Sequence, residues 1–363
     1  MKKIVFWFLR KIISLCLKIK IIFLTKHISP EERKKILLIN LHGIGDLVMC
    51  TPAITLLRKN YPFAEIDLLV SAPAAPLFKN DPGINNIFKF ENKKSFNSIK
   101  KIKQEYDTII LFIGGIWGTV AALSIKSKEI MGMALNSTLT AVWKSEDNKL
   151  VARRYNEKTH LSELMINAIK PIIKPESAFK SEYKLHINYE DIDIEKFNLK
   201  KPYIVLAPET NWNIKNIGQQ LIAGLCGYYK ERKISVVIIG QKNNTAQEGD
   251  LRGKTTILES VKIIKNSEYL ISADSAFMHI ASAAEKAVLI LFGPTDPERL
   301  IPPGKCFVAR KNIPCSPCYK EIYIPKCINS EYNLCMKWSL GDIKKELELF
   351  EKNIYDTFKR SRL

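Results

Sequence analysis

Residues 269–297 read YLISADSAFMHIASAAEKAVLILFGPTDP. Their pattern decides the fold. Residues 269–273 read as a short strand, and Asp274 and Ser275 stand where a helix should begin. Residues 276–285 are a small-residue helix, and 288–292 a wholly apolar strand closed by Gly293-Pro294. Strand, helix and strand in this order make a βαβ unit of a parallel sheet. Ligands of such sheets lie beyond the carboxyl ends of the strands. Here those ends carry Asp274, Ser275, His279 and the GPTDP turn. Asp274 and Ser275 are either a helix cap alone or a cap that also faces a ligand.

Outward from this unit the same alternation continues. Upstream lie a strand at 203–207, a polar loop at 208–216, a helix at 217–229 and a strand at 234–240. A polar loop at 243–254 and a short helix at 258–265 complete that half. The first half has strands at 36–41, 66–70, 87–90 and 108–113 with helical patterns between them. A doubly wound α/β domain therefore occurs twice, with residues 171–201 as the linker. The stretch 342–358 is a charged, amphipathic final helix.

At 363 residues, two domains of ordinary size are expected. The net charge of +19 calls for anionic partners. Residues 1–40 hold ten Lys or Arg and two Glu. The body has no dense basic run with interleaved aromatics, which argues against nucleic acid. Eight cysteines, four of them clustered late, do not suit a secreted disulfide framework.

In residues 1–26 the longest apolar run, 4–9, is too short to span a bilayer. No small-residue cleavage site marks a signal peptide. At helical spacing Lys3, Arg10, Lys11, Ser14 and Lys18 share one face, opposite Phe6, Leu9, Ile13 and Leu17. A basic amphipathic helix lying on an anionic membrane surface is the expectation. A helix packed on the first domain is the competing one.

Four groups could carry chemistry. Gly43-Ile44-Gly45-Asp46 follows a strand, where glycines permit close backbone approach and a helix N-terminus favours negative charge. It lacks the third glycine of a dinucleotide fingerprint and the Gly-Lys-Ser/Thr of a P-loop. Thr210, Asn211 and Lys215 offer donors and one cation for a phosphate. Ser275 and His279 share a helix face beside Asp274. Cys315, Cys318, Cys327 and Cys335 contain one close pair, which suits tetrahedral zinc, or iron, or four buried thiols.

HGIGDLVMCTPAITLLRKNYPFAEIDLLV and, far downstream, DSAFMHIASA with LFGPTDP resemble the two signatures of the family 9 glycosyltransferases, the heptosyltransferases of lipopolysaccharide assembly. The resemblance runs from Ile36 to Met336. It implies a GT-B fold, two Rossmann-like domains facing a central cleft. It implies inverting transfer from a nucleotide sugar, typically ADP-heptose, to an inner-core sugar hydroxyl, with no cofactor required for catalysis. Asp46 matches the general base, with Gly43 and Gly45 on the acceptor side. Thr210, Asn211, Lys215, Asp274, Ser275, Ala276 and His279 match donor-binding positions. The partners implied are a nucleotide-sugar donor, an anionic lipid-linked acceptor and the cytoplasmic face of the inner membrane.

Three positions depart from the family pattern. Ala276 stands for a glycine, Glu209 follows Pro208 where glycine is usual, and no acid follows Gly240, leaving Asn244 as a stand-in. A nucleotide-sugar 2-epimerase and a non-catalytic glycan-assembly protein are the alternative readings. The expected organisation is a membrane helix at 1–28, an acceptor domain at 29–185 and a donor domain at 186–340. A Cys-rich segment at 306–336 and a final helix at 341–363, packing back on the first domain, complete it.

Overall fold

The structure is a computed structural model describing residues 2–23, 26–91, 97–113, 115–133, 140–147, 149–156, 158–174, 182–241, 248–319, 327–329 and 331–360. Asn244 lies outside them. The chain divides into two compact units, Met1–Ile187 and Asn188–Leu363. Among the described residues, no helix is long and apolar enough to cross a membrane.

The first unit contains α1 (Lys2–Phe23), β1 (Lys35–Asn40), α2 (Ile44–Val48), α3 (Thr51–Asn60), β2 (Glu65–Ser71) and β3 (Asn86–Phe90). There follow α4 (Asn97–Lys100), β4 (Tyr106–Leu111), α5 (Ile116–Ser124), β5 (Ser127–Met133), β6 (Thr140–Lys144), β7 (Leu150–Arg154) and α6 (Leu161–Ile169). The sheet order is β3-β2-β1-β4-β5-β6-β7. The pairs from β3 across to β5 are parallel. Ile36, Leu37, Leu38 and Ile39 are fully buried because β1 is covered on both faces, which is why it reads as an unbroken apolar run. The antiparallel β6–β7 hairpin at the edge was not foreseen. Its short segments, TAVWK and LVARR, carry too little periodicity to announce it.

On one face the N-terminal helix follows the competing expectation and packs on the first unit. Leu17 and Ile21 are buried in the first unit's core with Leu37, Tyr106 and Ala121. Lys20 Nζ donates to the carbonyls of Ala122, Leu123 and Ile125 at 3.0–3.1 Å, where α5 ends and its carbonyls lack helical partners. Lys144 Nζ donates to the Ile22 carbonyl at 2.9 Å, doing the same for α1. Leu17, assigned by sequence to the lipid-facing stripe, is instead part of the protein core.

The second unit contains β8 (Tyr203–Ala207), α7 (Gln219–Glu231), β9 (Ser235–Ile238), α8 (Ile257–Asn266), β10 (Leu270–Ala273) and α9 (Ala276–Ala283). It ends with β11 (Val288–Phe292), α10 (Pro297–Leu300), β12 (Cys306–Arg310) and α11 (Leu340–Arg360). Its parallel sheet runs β12-β11-β10-β8-β9. The helix α11 buries Ile343, Leu347, Phe350 and Ile354 in this unit's core. Glu351 beside them accepts hydrogen bonds from the hydroxyls of Tyr228, Tyr229 and Tyr269. The apolar stripe of the final helix is thus buried in the second unit, whereas the resemblance implied packing on the first. Its apolar stripe announces burial without naming the surface it meets.

The stretch read as a polar loop at 243–254 also holds a core element. Arg252 is 2% exposed, and its Nε and Nη2 bind the Asp250 carboxylate, the closest contact being 2.6 Å. In both sheets the strand order reverses beside the unit's first strand, between β1 and β4 and between β8 and β10. Such reversals open a crevice at the carboxyl ends of the strands.

Candidate active site

At the β1/β4 reversal the chain turns sharply into α2. Asn40 closes β1 and is 1% exposed. Its Oδ1 accepts the His42 N–H at 3.0 Å and its Nδ2 donates to Cys50 Sγ at 3.1 Å. That fixes the loop before Gly43. Asp46 is the third residue of α2, and its Oδ2 accepts the Gly43 N–H at 3.0 Å. A Cβ at Gly43 would come within 3.1 Å of that oxygen, so glycine lets the carboxylate fold back over the turn. Gly45 lies in the same turn of α2. Across the reversal, a Cβ at Gly115 would lie 2.6 Å from His42 Nε2. The His42 ring thus rests on bare backbone at the start of α5. Sequence reasoning had not singled out His42. Cys50 is a packing group, because burial holds its thiol far above the ordinary thiol range.

At the β8/β10 reversal two loops meet. Lys215 ends a short turn after β8, and Asp274 follows β10 directly. Lys215 Nζ lies 3.1 Å from Asp274 Oδ2, with both side chains largely buried. The same oxygen accepts the Thr295 hydroxyl at 2.6 Å, from the GPTDP turn after β11. The Lys215 ammonium also sits 4.8 Å from the centre of the Trp212 ring. Trp212 in turn meets the Tyr319 ring at 4.9 Å. A flexible lysine is thereby held between a carboxylate and an aromatic face, the carboxylate itself anchored by Thr295.

The other donor-side residues group around this pair. Thr210 N–H donates to Asn216 Oδ1 at 2.8 Å, and Thr210 Oγ1 donates to the Trp212 carbonyl at 2.7 Å, closing the loop on itself. Asn211 is exposed on that loop. Ser275 caps α9, its Oγ accepting the Phe277 N–H at 3.3 Å. Ala276 is the first residue of α9, and His279, one turn on, is 3% exposed. Thr295, Trp212 and Tyr319 were not singled out from sequence. Only Thr295 carried a signal, by its place in the GPTDP turn.

Glu209 has a structural account. Its Oε1 accepts from Arg252 Nη1 at 3.0 Å, and its carboxylate fills the space beside Gly240. The residue that replaces the family's glycine thus closes a charged core network with Asp250 and Arg252 at the ends of β8 and β9.

The four late cysteines are neighbours. Burial, and then the nearby Cys318, Cys315 and Cys327, push the Cys335 thiol up to about 11. Asn329 Nδ2 donates to Cys315 Sγ at 3.0 Å, and the Asn333 N–H to Cys327 Sγ at 3.2 Å. Cys335 Sγ packs beneath Gly293, 3.0 Å from where a Cβ there would lie. Among the described residues, no group of three or more His, Cys, Asp or Glu side chains could hold a metal ion. The zinc or iron expected at this cluster therefore has no support in its geometry. What the segment does is brace the site. The N–H groups of Cys318 and Tyr319 both donate to the Pro294 carbonyl, and Tyr319 supports Trp212.

The fold agrees with comparisons to known proteins. Glycosyltransferase family 9 (heptosyltransferase) matches residues 96–328. Lipopolysaccharide heptosyltransferase 3 of Escherichia coli is 23% identical over 284 residues, covering 69% of this chain and 81% of that protein. The structure of E. coli ADP-heptose lipopolysaccharide heptosyltransferase II superposes with a TM-score of 0.63 at 19% identity, over 87% of this chain and 98% of that one. A dodecameric iron-containing heptosyltransferase in complex with ADP-D-β-D-heptose does so at 0.60 and 12% identity, over 91% and 79%. The chain has the GT-B fold, and it belongs to glycosyltransferase family 9.

Proposed function

We propose that this glycosyltransferase moves a heptose from ADP-heptose to a hydroxyl of a lipopolysaccharide core or related surface glycan, inverting the anomeric centre. The observation that carries the donor half is the Lys215–Asp274 ion pair at 3.1 Å, set beside the N-terminus of α9 at a strand-order reversal. A diphosphate there meets the Lys215 ammonium and the backbone N–H groups that open α9. Asp274, Thr295 and Trp212 hold the ammonium in place, so little reorganisation is needed as charge develops on the leaving group. Ser275 and His279 line the same helix start. Thr210 and Asn211 shape the loop that carries Lys215.

On the acceptor side Asp46 is the general base. The acceptor oxygen attacks C1 of the heptose, the bond from C1 to the diphosphate oxygen breaks, and the hydroxyl proton passes to the Asp46 carboxylate. ADP leaves with the electron pair. Gly43 and Gly45 keep the α2 turn bare enough for a sugar to approach. Positive charge for the leaving group comes from Lys215 and α9, and the cysteines of residues 315–335 take no part in the chemistry. The acceptor is an anionic, lipid-linked glycan met at the cytoplasmic face of the inner membrane, which suits a net charge of +19.

The test is transfer from ADP-heptose to a heptose-deficient core acceptor, followed by mass and by the anomeric configuration of the product. A one-heptose mass gain with inverted configuration is expected. An isomerised nucleotide sugar with unconsumed acceptor would assign the chain to epimerisation instead.

A further inference from the structure

Among its described side chains, α1 has two apolar faces, and one of them is buried in the fold. At 100° per residue, Ile13, Leu17 and Ile21 fall on one side, and Leu17 and Ile21 are buried in the first unit. Ile12, Leu15, Ile19, Ile22 and Phe23 fall in an arc about 100° wide on the opposite side. All five are exposed, from 40% at Ile22 to 76% at Phe23. The helix is not loosely attached, since Lys20 and Lys144 tie it to α5 and β6 through main-chain carbonyls. A soluble surface seldom presents a contiguous apolar face of this kind without a partner for it.

Charge identifies the partner. Residues 1–26 contain seven Lys or Arg and no acidic residue. Exposed Lys18 borders the outward face at helical spacing, and exposed Lys26 lies three residues past the end of α1. Two copies meeting through this face would bring like charges together, whereas a bilayer of anionic lipid satisfies both the apolar arc and the cations at its border. We infer that the outward face of α1 is a fixed docking surface for an anionic bilayer, with Ile12, Leu15, Ile19, Ile22 and Phe23 entering the acyl boundary. The surface bearing Leu17 and Ile21 stays in the protein. This deepens the transferase reading by placing the enzyme where a lipid-linked acceptor lies, but its test needs no transfer.

Removing the whole helix would open the core at Leu17 and Ile21, so the informative variant alters the outward face alone. The triple variant Ile12→Ser, Leu15→Ser, Phe23→Ser is compared with the unaltered chain. Both are floated with vesicles of phosphatidylglycerol and phosphatidylethanolamine, and with pure phosphatidylcholine vesicles. The unaltered protein is expected to float with the anionic vesicles only, and the triple variant to lose at least about tenfold in partitioning. Its melting temperature and its transfer to a delipidated acceptor should not change. Lys18→Glu with Lys26→Glu should weaken binding and flatten its salt dependence. The inference is overturned if the unaltered protein ignores anionic vesicles, or if the triple variant binds them equally well. It is also overturned if the face instead sustains a dimer that the triple variant dissociates. Vesicle binding without heptose transfer would count against the proposed reaction and leave the docking surface standing.

Discussion

At the scale of single residues, the donor site depends on how Lys215 is held. Its ammonium is shared between Asp274 Oδ2 at 3.1 Å and the face of Trp212. Lys215→Ala removes one charge-assisted contact to the diphosphate, and such contacts contribute about 1.5–3 kcal/mol. Donor affinity measured by calorimetry should fall by about 10- to 150-fold. Asp46→Asn separates binding from proton transfer, because the amide oxygen can still accept the Gly43 N–H. Single-turnover rates should fall by about 10²–10⁴ while donor affinity holds; an unchanged rate would remove Asp46 from the chemistry. Asp46, Lys215, Asp274 and Ser275 could be named as candidates from the sequence because each stands after a strand in a motif, and the fold brings Lys215 and Asp274 together. Thr295 and Trp212 could not be so named, because their roles come from loops that meet only after folding. Arg252 was hidden in a polar stretch, since sequence polarity cannot show that two carboxylates wait for it in the core. Substituting Arg252 by Met would take the guanidinium away from the carboxylates of Asp250 and Glu209, and unfolding by urea should show a loss of about 3–5 kcal/mol.

At the scale of elements, Asp107 shows how strands are aligned by side chains. From the second position of β4 its Oδ2 accepts the N–H groups of Lys34 and Lys35 where β1 begins, at 3.0 and 2.9 Å, and Oδ1 meets Lys128 Nζ at 2.6 Å. Burial pushes its pKa up, but the bonds from Lys128, Lys35 and Lys34 outweigh it and hold the carboxyl below its ordinary value. A carboxyl depressed on folding stabilises above its unfolded pKa, and that stabilisation disappears as pH falls through the folded one. Asp107→Asn should therefore cost about 1–2 kcal/mol near neutrality. The gap to the unaltered chain should narrow in acid, which denaturant titrations at pH 7 and near pH 3 would reveal. The inner parallel strands β1, β2, β4, β8, β10 and β11 were legible because burial on both faces writes them as largely apolar runs, as in β8 and β11. β5, β6, β7 and β12 were not, because SKEIMGM, TAVWK, LVARR and CFVAR mix charged or polar residues into the run. For α11 periodicity gave the helix, the family resemblance implied a first-unit partner, and its stripe is buried in the second unit's core, which is why Phe350→Ala should destabilise that unit by about 3–5 kcal/mol.

At the scale of the whole molecule, a doubled α/β pattern supplied the architecture, and the division at residues 187 and 188 gives each unit its own core. That division makes donor recognition measurable without any acceptor. All the residues assigned to the nucleotide sugar, from Thr210 to His279, belong to the second unit, whereas Asp46 belongs to the first. A ligand that binds only the folded state raises stability by mass action, by about 2.7 kcal/mol at a hundredfold excess over its dissociation constant. Thermal scans with ADP-, GDP- and UDP-sugars should therefore single out the ADP-sugar. Hydrogen exchange read by peptide should place new protection at the loop holding Lys215 and at the start of α9. Lys215→Ala should lose most of the thermal shift and Asp46→Asn should keep it, since one residue meets the diphosphate and the other the acceptor. Equal shifts from all three nucleotides would mean that the diphosphate alone is read. A shift abolished by Asp46→Asn would mean that the first unit also takes part in holding the donor.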